Sequence, residues 1–392
     1  MLVTGSTGAT ENRMKIAKFA FGLICLAILA SNIVTMSRWS EARGVYDDIC
    51  YRRQAHLFQR LGIGGFNTNT ALDDDGYFEG KLKEIAFDEW QDQSRWPCHN
   101  PMPGGKLVLQ YPPGTGFLLA LFPEGRQVAP LYIAASLIVC GLALFGIFMA
   151  PTLTSTVGAG LFGALAIYLM INPAKASYSI APTMAVCALA GFLTARWLIR
   201  DKRSVLLLAL IGLLLGASVS FRLPNALLVA GYCLFLAGAF TWSRTVSSFV
   251  QGLAFGIGVL VGMIPTLVAQ AINAGSPFAT TYGSVDAIPP GFDLAVLGQY
   301  LRDMQFVLIV LAIGSTAWLF FGGERRARQV ALVVAGNLAV NLVFFLSHPI
   351  FTSYYIVPIT MLSLWTVSFA WLMQAETARE VVVPAGLEAL PR

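Results

Sequence analysis

Apolar stretches long enough to cross a bilayer alternate with short polar joints along most of this chain. At about 20 residues per crossing, they predict ten spans at approximately residues 16–36, 129–149, 152–171, 178–199, 204–221, 223–241, 248–272, 304–321, 328–347 and 353–373. Arg222 and Pro224 mark the division between the fifth and the sixth. The fold class read from this pattern is an all-α polytopic membrane protein. Residues 1–373 form one membrane domain, and 374–392 form a loose polar tail.

One stretch breaks the pattern. LVLQYPPGTGFLLALF, residues 107–122, starts like a span and stops at Pro123. Its apolar run from Phe117 to Phe122 covers only about 9 Å as a helix. Pro112 and Pro113 are excluded from a helix interior and push the preceding residue to extended geometry. The stretch therefore predicts a short helix over 117–122 that dips into the membrane surface and ends the first long connection. Backbone at that depth must be covered by protein or line a cavity.

Composition agrees with the span pattern. The chain is 56% hydrophobic and 12% charged, against about 25% charged in soluble domains. Its net charge of +5 forms no compact basic stripe, so nucleic acid is not an indicated partner. The N-terminal Arg13, Lys15 and Lys18 precede an apolar stretch longer than a signal peptide's core of about 7–15 residues. No small-residue cleavage site follows, and the stretch reads as the first span.

Basic residues also set an orientation. RDKRS (200–204), Arg244 and GGERRAR (322–328) fall on the same side as the N-terminus when ten spans alternate. That side is cytoplasmic by the excess of Lys and Arg. The opposite, external side then carries two long connections, 37–128 and 273–303, and shorter pieces at 172–177, Arg222 and 347–353. In the first connection, YRRQAHLFQRLG (51–62) and FEGKLKEIAFDEW (78–90) each gather apolar residues on one helical face. Two readings fit: helices lying in the interface plane, or a small subdomain burying these faces against each other.

Candidate chemistry lies in these external pieces. Asp47 and Asp48 follow the first span closely; either can serve as a general base, or the pair can simply cap a helix. Arg222 sits at a span boundary, where it can hold a phosphate or snorkel to headgroups. GSPFATTYG (275–283) and SHPIFTSYYIVP (347–358) are rich in hydroxyl and aromatic residues, and the second contains His348. DDDG (73–76) lacks the alternating ligand spacing of a calcium loop and reads as a solvated turn. Six cysteines form no CxxC. Cys25, Cys140, Cys187 and Cys233 lie within spans and read as small buried hydrophobes. Cys50 and Cys98 share the first connection, where they either pair in an oxidising compartment or remain two thiols.

Taken in order, these segments resemble the GT-C glycosyltransferases, membrane enzymes that use polyprenyl-phosphate sugars. The likeness is to the bacterial branch of protein O-mannosyltransferases and the aminoarabinose transferase, and it covers roughly residues 16–370. Asp47–Asp48 with Tyr51 is similar to the family's Asp-Glu pair and downstream aromatic, with Asp48 in place of Glu. QYPPGTGFLLALF (110–122) is similar to its Pro-Pro segment, and GASVSFRLPNALL (216–228) to its Gly…Arg-Pro/Asn-Leu segment. GSPFATTYG resembles its Gly-Ser/Asn-Pro…Tyr-Gly loop. YYIVPITML (354–362) resembles an Arg-Tyr-Leu-x-Pro motif, with Tyr354 at the Arg position. NPAKASYSIAPTMAV (172–186) lacks the acidic residue that many members carry there, so that role has no counterpart.

The resemblance implies an inverting transfer from a polyprenyl-phosphate sugar to a hydroxyl acceptor on a glycan, glycolipid or protein. Asp47 or Asp48 would be the base and Arg222 the partner of the leaving phosphate. Tyr51, Tyr111, Pro112, Pro113, Tyr282, His348, Tyr354 and Tyr355 would line the substrate cavity, near a bilayer in the bacterial cell envelope. The implied location is the cytoplasmic membrane, with both termini cytoplasmic and the site periplasmic or extracellular. A divalent metal is allowed by this reading but not indicated by ligand spacing. Two other functions stay open: a ligase or polymerase of lipid-linked glycans leaning on His348 and Arg222, and a non-enzymatic lipid or glycolipid transporter. Ion-coupled transport is disfavoured by mid-span positions that are mostly Leu, Ala, Gly, Val and Phe.

Overall fold

The computed structural model describes residues 5–41, 46–172, 177–200, 204–283 and 289–382. Most of NPAKAS, the centre of the basic loop 200–204, residues 284–288 of the second long connection and the tail from 383 lie outside the described residues.

The chain is a bundle of α-helices. Eight helical segments are long and apolar enough to cross a membrane, which makes the chain an all-α polytopic integral membrane protein. They are α1 (Gly5–Met36), α5 (Val128–Met149), α7 (Ile180–Ile199), α9 (Ala230–Ser243) with its 3₁₀ lead-in Leu223–Val229, α10 (Val246–Ala274), α12 (Met304–Gly322), α13 (Arg325–Leu346) and α14 (Val357–Val382). Two shorter apolar helices, α6 (Leu153–Leu169) and α8 (Val205–Val219), pack among them. The most buried members are α7 and α14. They touch where Gly191 lies against Trp365.

Close backbone approach fixes the α8–α10 pair. Gly212 and Gly216 on α8 face Gly258 and Gly262 on α10, at four-residue spacing on both helices. A Cβ on any of the four would come within about 2.4 Å of a backbone oxygen on the other helix. Small-xxx-small spacing is how apolar helices pack where no hydrophobic effect drives them together. The contact carries a polar partner at its end, a 2.9 Å hydrogen bond between the Ser220 and Thr266 hydroxyls.

The first long connection folds as a small subdomain. Helix α2 (Tyr46–Leu61) is buried on both faces: Tyr51, Arg52, Arg53, Gln54, Ala55, Leu57 and Phe58 are all buried. The apolar face of the stretch 51–62 is therefore covered by protein. Arg53 donates to the carbonyls of Thr68 and Asn69 at 2.9 and 3.0 Å and sits 3.7 Å from Asp73. Burial lowers its pKa to about 10. DDDG is accordingly more than a solvated turn. Asp73 is nearly enclosed and accepts from the Phe78 amide, while Arg60 pairs with Asp74 and Asp75.

The stretch 78–90 is helical only over α3 (Tyr77–Glu84). Ala86 takes a positive φ of 56°, which stops the helix. An antiparallel hairpin absent from the hydrophobic pattern follows, β1 (His99–Met102) with β2 (Lys106–Leu109). Ile49, Cys50, Phe78, Leu82, Trp96 and Leu109 form the subdomain's core. The expected short helix begins earlier than 117: α4 spans Gly114–Ala120, capped at its start by Pro113.

Two outcomes test this packing. Gly216→Ala places a Cβ against the Val259 carbonyl and costs about 1–3 kcal/mol. Gly238→Ala, with open space around it, is neutral or stabilising by up to about 1 kcal/mol. Thermal unfolding in nanodiscs separates the two, and equal midpoints would remove the close-packing account. His99 supplies the second. Burial, then the nearby Arg53 charge, depress its pKa to about 3. Its Nδ1 donates to Pro97, while Nε2 is buried without a partner. A folded pKa below the unfolded value gives stability that is complete above about pH 6.5. It falls by about 1.4 kcal/mol per pH unit below that. Proteolytic stability of the first connection should drop from pH 7 to pH 5, and His99→Phe should flatten the profile.

Candidate functional site

The Asp pair opens α2, where carboxylates favour the positive end of the helix dipole. Neighbouring residues on a helix point about 100° apart, and the two carboxylates diverge. Asp47 is half-buried and accepts a hydrogen bond from the Tyr111 hydroxyl at 2.5 Å. Asp48 is 1% exposed and accepts from the Tyr178 amide at 3.3 Å, just before α7.

Tyrosines build the wall beside Asp47. Tyr111 stacks on Tyr51 at 4.8 Å between ring centroids and meets Tyr282 edge-on at 6.3 Å. Tyr51 is tied by its hydroxyl to Ser179. Burial and then the Asp47 charge push the Tyr111 hydroxyl well above its ordinary pKa, so it stays protonated and donates to the carboxylate. Burial likewise raises Tyr282 and Tyr354, with the Arg222 charge opposing it in both.

Arg222 faces the same group. It is 7% exposed, and its guanidinium carbon lies 4.8 Å from the Tyr354 ring centroid and 5.3 Å from that of Tyr355. Among the described residues no carboxylate is within 4 Å of it to form an ion pair. Its backbone is extended, between α8 and the 3₁₀ segment. Asn225 holds that turn by donating to the Ser218 carbonyl and to the Thr183 hydroxyl, at 2.8 and 3.0 Å. The tyrosines opposite are held by Gln305, which donates to Thr352 and accepts from Ile356 at 3.0 and 2.9 Å.

The Pro-Pro segment joins the two sides. Pro112 lines a narrow cleft with Gln54, Gln110, Gln270, Thr281 and Tyr282, whose lining has no charged side chain among the described residues. Beyond Pro113, the Gly114 amide donates to the Ser220 carbonyl at 2.6 Å, two residues before Arg222. Tyr282 is docked by Thr281, which donates to Gln110, and by Asn100, which donates to the Thr281 carbonyl.

The structure thus brings together Asp47, Tyr51, Tyr111, Pro112, Tyr282, Arg222, Tyr354 and Tyr355. His348 stands one ring further out, half-buried, 6.5 Å from the Tyr355 ring and stacked at 6.2 Å on Phe344. Cys50 and Cys98 are joined as a disulfide one turn from Asp47. Of the four other cysteines, Cys233 is exposed on the apolar surface instead of buried. Among the described residues no cluster of three His, Cys, Asp or Glu side chains is placed to hold a metal ion. The amides Asn225 and Gln305, which position the cation and its tyrosines, escaped sequence reasoning. Their one signal is a polar amide at the edge of an apolar run.

Comparison of the chain with protein-family models, with curated proteins and with solved structures gives no match in any of the three.

The disulfide ties the start of α2 to the hairpin that leads into Tyr111. Cys98→Ser, or reduction, should lower the stability of the first connection by about 2–4 kcal/mol, read by pulse proteolysis in urea. An unchanged urea midpoint would show that the bridge is not a restraint on this subdomain.

Proposed function

We propose that the chain is a membrane glycosyltransferase, moving a sugar from a polyprenyl-phosphate donor to a hydroxyl acceptor. One observation carries the reading: a nearly buried guanidinium without an acidic partner among the described residues shares a tyrosine-walled site with a carboxylate. Their common place is one end of a bundle of apolar helices. Such a cation suits a phosphate at membrane depth, and such a carboxylate suits a hydroxyl proton.

In the proposed step the acceptor hydroxyl gives its proton to Asp47 and its oxygen bonds to the anomeric carbon. The bond from that carbon to the lipid phosphate breaks, and the phosphate leaves with the electron pair. Arg222 meets the developing charge with donors already in place, which is where electrostatic stabilisation is most effective. Tyr111 occupies one Asp47 oxygen and leaves the other for the acceptor. Asp48 faces Tyr178, so Asp47 is assigned as the base and Asp48 as a positioning group. The family resemblance adds inversion at the anomeric carbon. The apolar pattern and the basic short loops add α6 and α8 as short spans, ten in all, with cytoplasmic termini and the site on the external face.

Transfer from a labelled prenyl-phosphate sugar, measured in nanodiscs, tests the assignment. Asp47→Asn should lower kcat by about 10²–10⁴. Arg222→Ala should lower it by about 10²–10³. Full transfer by Asp47→Asn would eliminate Asp47 as the base, and full transfer by both variants would eliminate the reading.

A further inference from the structure

The second long connection contains a helix that the transfer chemistry does not use. Helix α11 (Leu294–Arg302) has its own N-cap, Asp293, whose carboxylate accepts from the Ala295 and Val296 amides. It ends at Asp303, an extended residue that caps α12 in turn. Three arcs run along its surface. Val296 and Tyr300 are buried, and the Tyr300 ring meets Phe351 edge-on at 4.9 Å. Leu294, Leu297 and Leu301 occupy the next arc, with Leu294 at 82% and Leu301 at 60% exposure. Arg302, Ala295 and Gln299 occupy the third and are exposed. Phe292, just before the helix, is 73% exposed.

We infer that α11 is an interfacial anchor, with Leu294, Leu301 and Phe292 seated among the acyl chains of the bilayer leaflet on this side of the bundle. Its height follows from its neighbour. Helix α12 has 19 residues, about 28 Å, which is close to the hydrocarbon thickness of about 30 Å. Its first residue therefore lies at the hydrocarbon boundary. A single residue, Asp303, separates α11 from it, so Arg302 and Met304 are at most about 7 Å apart along the chain. A helix at that height with an apolar arc beside a polar one lies in the interface plane. Its apolar arc continues the lipid-facing surface of α12, where Val307, Val310 and Leu311 are exposed. Arg302 on the adjoining arc is positioned for headgroup phosphates.

The buried arc gives the anchor a structural consequence. Tyr300 packs on Phe351, and the chain from Phe351 leads within four residues to Tyr354 and Tyr355 beside Arg222. The depth of α11 thereby supports the floor of the site. The inference rests on the membrane reading of α12, not on the transferase reading.

Spin labels read the depth directly. In a Cys233→Ala background, which removes the exposed native thiol, single cysteines replace Leu294, Leu301, Ala295 or Gln299 in the full chain. The chain is reconstituted in phosphatidylcholine nanodiscs. The labels at 294 and 301 should collide several-fold more often with oxygen than with a water-soluble nickel chelate, and those at 295 and 299 should show the reverse. Equal nickel access at all four positions would overturn the anchor, because the arc would then lie in water. Shielding of 294 and 301 from both reagents would overturn it as well, because a protein surface would then cover the arc.

Discussion

The site depends on one seat, where the start of α4 meets the end of α8. The Gly114 amide donates to the Ser220 carbonyl, and a Cβ at Gly114 would lie 2.7 Å from that same oxygen. On the other side of α4, a Cβ at Gly116 would lie 2.6 Å from the Gln54 side chain of α2. Three residues before Gly114, Tyr111 bonds Asp47; two residues after Ser220 comes Arg222. The carboxylate and the cation belong to segments more than 170 residues apart, and this junction sets the distance between them. Both glycines are needed because backbone must approach backbone and side chain more closely than any Cβ allows.

Buried amides do the remaining positioning. In an apolar bundle an unsatisfied carbonyl or amide is costly, so a side-chain amide that supplies both a donor and an acceptor can fix a break in helical structure. Asn225 holds the turn at Arg222, and Gln305 clasps the segment of Tyr354 and Tyr355. Asn273 accepts from Thr68 and donates to Phe66, tying α10 to the first connection. Asn337 repeats the device at the 3₁₀ segment, donating to Leu228 and accepting from Gly231. These breaks are where the functional side chains emerge, so the same groups that satisfy the backbone also aim the site.

The membrane class and the place of the long helices were legible because length and apolar composition are properties of single segments. Aromatic and hydroxyl residues around Asp47 were legible only as a set of segments in order, not as contacts. Two features were hidden for physical reasons. Whether the amphipathic faces of 51–62 and 78–90 meet lipid or each other depends on tertiary packing, which periodicity does not encode. Arg52 and Arg53 lie off the apolar face of 51–62, yet both are buried, Arg53 on the carbonyls of Thr68 and Asn69. The glycine pairs of α8 and α10 are visible in the sequence, but their facing requires knowing which helices are neighbours.

Arg222 and Arg53 show two different settings for a buried charge in this fold. Arg53, fully withdrawn from water, is compensated by two carbonyls and Asp73, as a buried structural cation must be. Among the described residues, Arg222 has the faces of Tyr354 and Tyr355 and no ion pair. Cation–π contact offsets part of a desolvation cost, about 0.5–2 kcal/mol, and itself occupies none of the guanidinium's donors. Asp47 does not quench it by direct pairing, since its carboxylate accepts from the Tyr111 hydroxyl. With Asp47 engaged by Tyr111, the cation's field is directed at whatever anion enters. A purely structural arginine has no use for that arrangement, whereas a phosphate site requires it, and this favours the transferase reading over a packing role for the RLPN turn.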